Sequence, residues 1–243
     1  ITIEYIKEVS QKNIREIIAE AVAQSLRAIP AMIGEVFNEE GRQTSAVYDE
    51  ILRAVAGGKT VSTEISSSLY SKKIIPKDNP SALQQYFKNL VDFGILKKIP
   101  VFEKNKFVYK HTSPLARIYY YADEKYNISE RDTTKEELLR IVGELIPRIV
   151  EDTLREALAE KFSLRETIYE EKDYDIDVCL LRFNTIEITA EVKWSENITT
   201  QTIDTARKTL EHIHSKRKIL FVIDKEKIKK CPEDIELMDV SDL

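Results

Sequence analysis

Only two cysteines, Cys179 and Cys231, occur in 243 residues. They are too few for a disulfide framework, and no Cys/His pairing falls at zinc-ligand spacing. A reducing compartment, the cytoplasm, is therefore expected. No run approaches the roughly 18 consecutive apolar residues of a membrane span, and no charged n-region followed by an apolar stretch opens the sequence, so neither membrane insertion nor secretion is expected. The chain opens at Ile1 inside a charged, helix-like pattern, as a fragment would. Two of its three histidines, His212 and His214, stand two apart on a helical segment, point in different directions and cannot chelate one ion together. A complete P-loop is missing too. Gly57-Gly58-Lys59-Thr60 matches the end of G-x-x-x-x-G-K-[ST], but Arg53 stands where the first glycine belongs and a helix precedes it, so the segment reads as a glycine C-cap and turn.

What is present is a charged globular composition, 42% hydrophobic and 33% charged, long enough for one large domain or two to three small ones. The charge is unevenly distributed. Between Lys59 and Arg117 there are 11 Lys/Arg against 4 Asp/Glu, a net +7, which leaves −12 on the rest of a chain whose formal charge is −5. A basic module inside an acidic chain suits a polyanionic partner, because clustered Lys/Arg neutralise phosphates and release counterions; a solvated lysine-rich surface is the alternative.

Along the chain, 12–27 carries Ile14, Ile17, Ile18, Ala21, Val22 and Leu26 at helical spacing before Pro30, a helical segment spanning 1–44. Three helices are then expected, at 47–56, 61–69 and 81–92, the last closed by Gly94. Two strand-like runs follow, ILKKIPVF (95–102) and KFVYKHT (106–112), joined by Glu103-Lys104-Asn105. Three helices and a hairpin over 45–130 give the element order of a winged helix-turn-helix. Its third helix would present Ser81, Gln84, Gln85 and Lys88 to the major groove of DNA, with Lys88, Lys104 and Lys106 near phosphates and Lys72 and Lys73 as further DNA-binding residues. Protein contact alone is the competing use. Tyr119, Tyr120, Tyr121 and Tyr126 read as packing residues rather than a base-stacking platform, and 129–134 as a polar linker.

From 131 to 243 the pattern is helix (135–162, broken or kinked at Pro147), three strands (163–171, 175–183, 185–194), helix (203–215) and strand (218–224), with no strong signal in the acidic tail. On the third strand Ile186, Ile188, Ala190 and Val192 alternate with Glu187, Thr189, Glu191 and Lys193, so Glu191 and Lys193 project from one face. Asp177 lies 14 positions before Glu191, a separation a hairpin closes. Two converging carboxylates and a backbone carbonyl are hard oxygen donors suited to Mg²⁺ or Mn²⁺, and a neighbouring ammonium can orient water or offset charge on a phosphoryl group. An ion-paired cluster on a solvated sheet face is the alternative. Cys179 reads as an inert buried thiol and Trp194 as a packing residue.

Asp177 followed by Glu191-Val192-Lys193, within an αβββαβ order, resembles the PD-(D/E)xK nuclease superfamily. That resemblance implies an α+β fold, a winged helix-turn-helix followed by a nuclease-like domain, and a further helix acid, here Glu151; Gln201 falls where some members carry a polar helper. IPAMIGEVF (29–37), the winged-helix block, LKKIPVFEKNKFVYKHTSPLARIYYY (96–121) and DIDVCLLRF through EVKW together resemble the C-terminal region of archaeal AAA/STAND-like P-loop ATPases, in which lid helices, a winged helix and a nuclease-like domain follow an ATPase core that is absent from this sequence. The expectation is a DNA-binding, metal-dependent nuclease-like module whose ATPase core acts in cis or in trans, with homo-oligomerisation left open. The alternative is a non-catalytic DNA- or protein-binding regulatory module. An arginine filling the gap between the carboxylates would leave only a scaffold.

Overall fold

A computed structural model describes residues 11–26, 28–37, 42–195, 197–228 and 230–243. Of the expected 1–44 segment, residues 1–10, 27 and 38–41 lie outside the described residues. The chain is α+β and divides into two compact units, one built from Ser10–Ile99 and Lys106–Leu145, the other containing Pro100–Asn105 and Ile146–Leu243.

In the first unit the periodic runs become α1 (Gln11–Ser25), α2 (Ala28–Phe37) and α3 (Arg42–Ala56). α3 carries Val47, Ile51, Leu52 and Val55 about one turn apart, and all four are buried. Its end is set by the glycines. The N–H groups of Gly57 and Gly58 return to the Arg53 and Val55 carbonyls, and Gly58 takes a φ of 97°, which a side chain would resist. Lys59 then donates to Ser68 Oγ at 2.8 Å, so the P-loop-like segment closes a helix. α4 (Ser62–Ser71) and α5 (Gln84–Asp92) follow. α5 starts at Gln84 rather than at Ser81 because Asn79 caps the Ser81 N–H and Pro80 opens a 3-10 turn. Strands β1 (Leu96–Pro100) and β2 (Phe107–His111) pair in a two-stranded sheet, and α6 (Pro114–Tyr126) begins with Ser113 accepting the Ala116 N–H and Pro114 at the first helical position. Tyr119 and Tyr120 are buried, and the hydroxyls of the half-buried Tyr121 and Tyr126 donate to Glu144.

α7 (Lys135–Phe162) runs through Pro147, and the division between the units falls inside it, between Leu145 and Ile146, rather than at 129–134. That stretch is tied down: Ser129 N–H donates to Asp123, Arg131 to Glu137, and Thr134 and Glu137 form a reciprocal cap on α7.

The second unit holds a sheet ordered β3 (Arg165–Glu170), β4 (Asp175–Arg182), β5 (Thr185–Lys193), β6 (Arg217–Val222) and β7 (Glu236–Met238). The first two pairings are antiparallel and the last two parallel. The parallel β5–β6 pair requires a crossover, supplied by α8 (Thr200–Glu211), which starts at its Thr199 cap. One face of the sheet packs Val178, Leu180, Ile188, Ala190 and Val192 on Leu154 and Leu158 of α7; the other packs Cys179, Leu181 and Leu220 on Ile203, Ala206 and Leu210 of α8.

Two bulges correct the expected alternation. Cys179 pairs with Thr167 and Ile176 with Tyr169, so Asp177 and Val178 together oppose Ile168; Leu180 pairs with Ile188 and Leu181 with Ile186, so Glu187 is the extra residue on β5. Each bulge flips the parity of a strand. Ile186 joins the α8 side while Ile188 joins the α7 side. Both faces being covered, Thr189 and Glu191 are buried rather than solvated. Among the described residues no single helix is long and apolar enough to cross a membrane; α1 and α2 pass that test only as a pair bent by 54°.

Candidate functional site

Asp177, Glu191 and Lys193 meet. The Lys193 ammonium lies 2.7 Å from Glu191 Oε2 and 3.9 Å from Asp177 Oδ2. Continuing the β4–β5 register one step beyond Val178↔Ala190 sets Asp177 opposite Glu191, and the bulge at Asp177 re-aims its side chain so that Oδ2 accepts the Val192 N–H at 2.8 Å. A backbone donor that would otherwise serve the ladder is thus given to a site carboxylate.

The electrostatics follow from burial. Glu191 is 6% exposed, and desolvation, with the Asp177 charge next, pushes its carboxyl up to about 7 against the opposing pull of Lys193. Asp177 is likewise raised, first by burial, although the Val192 N–H and the Lys193 charge favour its anion. Burial works against the Lys193 ammonium, but its bond to Glu191 and the charges of Glu191, Asp177 and Glu151 outweigh it, so it stays firmly cationic. The half-buried Glu151 of α7 therefore acts on this cluster through Lys193. Carboxylates that resist ionisation beside one ammonium make a site short of positive charge.

Two hard carboxylates fit Mg²⁺ or Mn²⁺, ions commonly held by one or two carboxylates with water completing the shell. Among the described residues no three His, Cys, Asp or Glu side chains converge as a cation cage, so Asp177 and Glu191 would be the protein's carboxylate ligands. Lys193 would have to yield its bond to Glu191.

Sequence reasoning missed Arg155. Only 4% exposed, it reaches from α7 to donate through Nη2 to the Asp177 main-chain oxygen at 2.6 Å and through Nη1 to Asp152 Oδ1 at 2.6 Å. It grips the backbone of Asp177 and leaves the carboxylate to Val192. The available signal was a charged residue interrupting the apolar row Leu154, Leu158 and Ala159. Asp175, at the start of β4, adds negative potential to both Asp177 and Glu191. Gln201 is exposed in the first turn of α8, Trp194 packs partly buried on the α7 side of the sheet, and burial pushes the Cys179 thiol up to about 12, which makes it inert. His212 stacks on Tyr174 at 4.4 Å and, like His214, is exposed.

The residues expected to meet DNA separate into two groups. Gln84, Gln85 and Lys88 share the exposed side of α5 and line a groove of about 370 Å³ with Lys98 and Tyr109; within it Gln85 donates to Asn89 and Lys88 pairs with Asp92 at 3.0 Å. Lys73 is exposed at a φ of 60°, and Lys106 is half-buried. Lys72 bonds Glu50 and Glu124, and Lys104, which falls in the second unit, bonds the Glu170 carbonyl and lies 3.6 Å from Glu171. No protein-family model, curated protein or solved structure matches the chain.

Proposed function

We propose that the chain is a DNA-binding, divalent-cation-dependent phosphodiesterase module of the PD-(D/E)xK kind, its winged helix-turn-helix holding duplex DNA and its nuclease-like sheet carrying the reaction. The observation that supports this most is the convergence of Asp177, Glu191 and Lys193 from adjacent strands, the ammonium 2.7 Å and 3.9 Å from the two carboxylates, on a sheet whose helix and strand order is αβββαβ with one extra edge strand.

In this reading Asp177 and Glu191 hold Mg²⁺ or Mn²⁺, which supplies Lewis-acid polarisation of the phosphoryl group and of the attacking water when bound. Water oxygen forms the new bond to phosphorus as an ester P–O bond breaks, the water proton passes to solvent, and the departing alkoxide takes a proton from solvent. Lys193 is held as a cation, so it offsets the charge that builds on the phosphoryl oxygens rather than accepting a proton. Glu151 adds the smallest of the charges that favour the Lys193 ammonium, after Glu191 and Asp177. Gln84, Gln85 and Lys88 read or position the duplex from α5. If the resemblance to archaeal P-loop ATPases holds, an ATPase core would act with this module in cis or in trans.

A second reading, a non-catalytic DNA- or protein-binding regulatory module, is favoured by the lysines already committed to acids of the protein itself: Lys72 to Glu50 and Glu124, Lys88 to Asp92, Lys104 to Glu171. Plasmid incubated with Mn²⁺ separates the two. The wild-type chain is expected to nick supercoiled DNA, and Glu191→Ala and Lys193→Ala to lose at least a hundredfold of that rate, in line with removal of a preorganised charge-stabilising group. Equal nicking by all three proteins, or none by the wild type, removes the enzymatic reading.

A further inference from the structure

We propose that Arg155 is a positioning residue: by holding the main-chain carbonyl of the bulged Asp177, it fixes the strand distortion that turns the Asp177 carboxylate into the site. The inference rests on the phosphodiesterase reading for its purpose, though not for its geometry.

A guanidinium buried to 4% exposure is a poor way to stabilise a fold. Its neighbours on α7, Leu154, Leu158 and Ala159, pack against the sheet, and an apolar side chain of similar length would do the same at lower cost. Arg155 has instead one carboxylate partner, Asp152, and one carbonyl, that of Asp177, while its Nε is buried with no acceptor among the described residues. Such an expensive, partly satisfied group is kept where its geometry matters.

The geometry is local to the bulge. Asp177 and Val178 oppose the single residue Ile168, and a bulge leaves its extra residue without regular ladder partners. Arg155 supplies a donor to Asp177 O at 2.6 Å, and Val192 N–H supplies one to Asp177 Oδ2 at 2.8 Å. Asp177 is therefore held at its main chain and at its side chain from two different elements. The Asp152 carboxylate, 2.6 Å from Nη1 and three residues before Arg155 on the same helix, sets the guanidinium orientation. Without the guanidinium the bulge is free to slip by one residue, which would carry the Asp177 side chain away from Glu191.

Amide-resolved hydrogen exchange and calorimetric titration with Mn²⁺ alone, on the full chain, test this. Arg155→Met keeps the side-chain bulk and removes the donors. Relative to amides of β6, the Val192 amide is expected to exchange at least tenfold faster than in the wild type, and Mn²⁺ affinity to fall about tenfold. Arg155→Lys, with a donor able to reach the same carbonyl, is expected to recover part of both, and Asp152→Asn to move both in the same direction by less. Unchanged Val192 exchange in Arg155→Met overturns the proposal; if that variant does not fold, unchanged Val192 exchange in both Arg155→Lys and Asp152→Asn does so. A wild-type chain that binds no Mn²⁺ counts against the phosphodiesterase reading, while the Val192 measurement still decides the role of Arg155.

Discussion

A buried ionisable side chain is an entry in the pH dependence of stability, and here two such groups pull in opposite directions. His111 is buried against Tyr120, its Nε2 hydrogen-bonded to the Leu52 carbonyl at 2.9 Å, and burial lowers it to about 4. Unfolded, the same imidazole takes up a proton near 6.5. Below that pH the unfolded chain binds the extra proton, so stability is lost as pH falls from about 6.5 toward 4, by about 2 kcal/mol at pH 5. Glu191 has the reverse sign. Its folded value, about 7, lies above the ordinary carboxylate range, so the folded state binds the extra proton and stability declines as pH rises toward 7. Urea unfolding of wild type and His111→Gln at pH 5.0 and 7.5 isolates the first effect. The wild type is expected to lose about 2 kcal/mol more than the variant on going to pH 5; parallel losses would mean that His111 is not held neutral.

At the scale of the element, α7 is the unusual case, 28 residues with Pro147 inside. Proline has no N–H to give the carbonyl of Gly143 and crowds that turn, a defect worth about 3 kcal/mol in an ordinary helix interior. Pro147 is exposed, so replacing it removes no core contact. Pro147→Ala is expected to stabilise the chain by about 1 to 3 kcal/mol, read as a higher urea midpoint at unchanged slope; a lower midpoint would show that the proline is needed where the units divide. The residues Val47, Ile51, Leu52 and Val55, and the run Ile203, Ala206 and Leu210, made α3 and α8 legible because each stripe is long enough to declare a period. β7 was not legible: Glu236, Leu237 and Met238 are too few to show a pattern, and their strand exists because β6 offers an edge. The bulges at Asp177–Val178 and Glu187 were hidden for a related reason, since one extra residue in a strand leaves composition untouched and only the partner reveals it. The pairing of Asp177 with Glu191 and Lys193 survived that blindness because a hairpin fixes the separation, whereas Arg155 comes from a helix 22 residues away and no local spacing points to it.

Across the whole molecule the charge is divided between a +7 stretch, Lys59 to Arg117, and −12 elsewhere, within a total of −5. Polyanion binding depends less on that sum than on how many cations can leave the protein's own acids for phosphates. Lys72 is 34% exposed between two glutamates, and drawing it out would strand Glu50, itself raised by burial; Lys88 is 67% exposed and gives up only a surface pair with Asp92. Such surface pairs are worth about 1 kcal/mol or less. Two contacts, from Lys73 and Lys88, are therefore expected to carry duplex binding, giving a slope of log K against log salt of about −1.8 and an affinity loss of about 12-fold between 50 and 200 mM salt. Fluorescence anisotropy of a labelled duplex across that range measures the slope. Lys88→Ala is expected to reduce it by about 1, and Lys72→Ala to leave it unchanged while lowering stability through the uncompensated Glu50 and Glu124. A slope near zero in the wild type would mean that the basic stretch is a solvated surface and that DNA is not the partner of this unit.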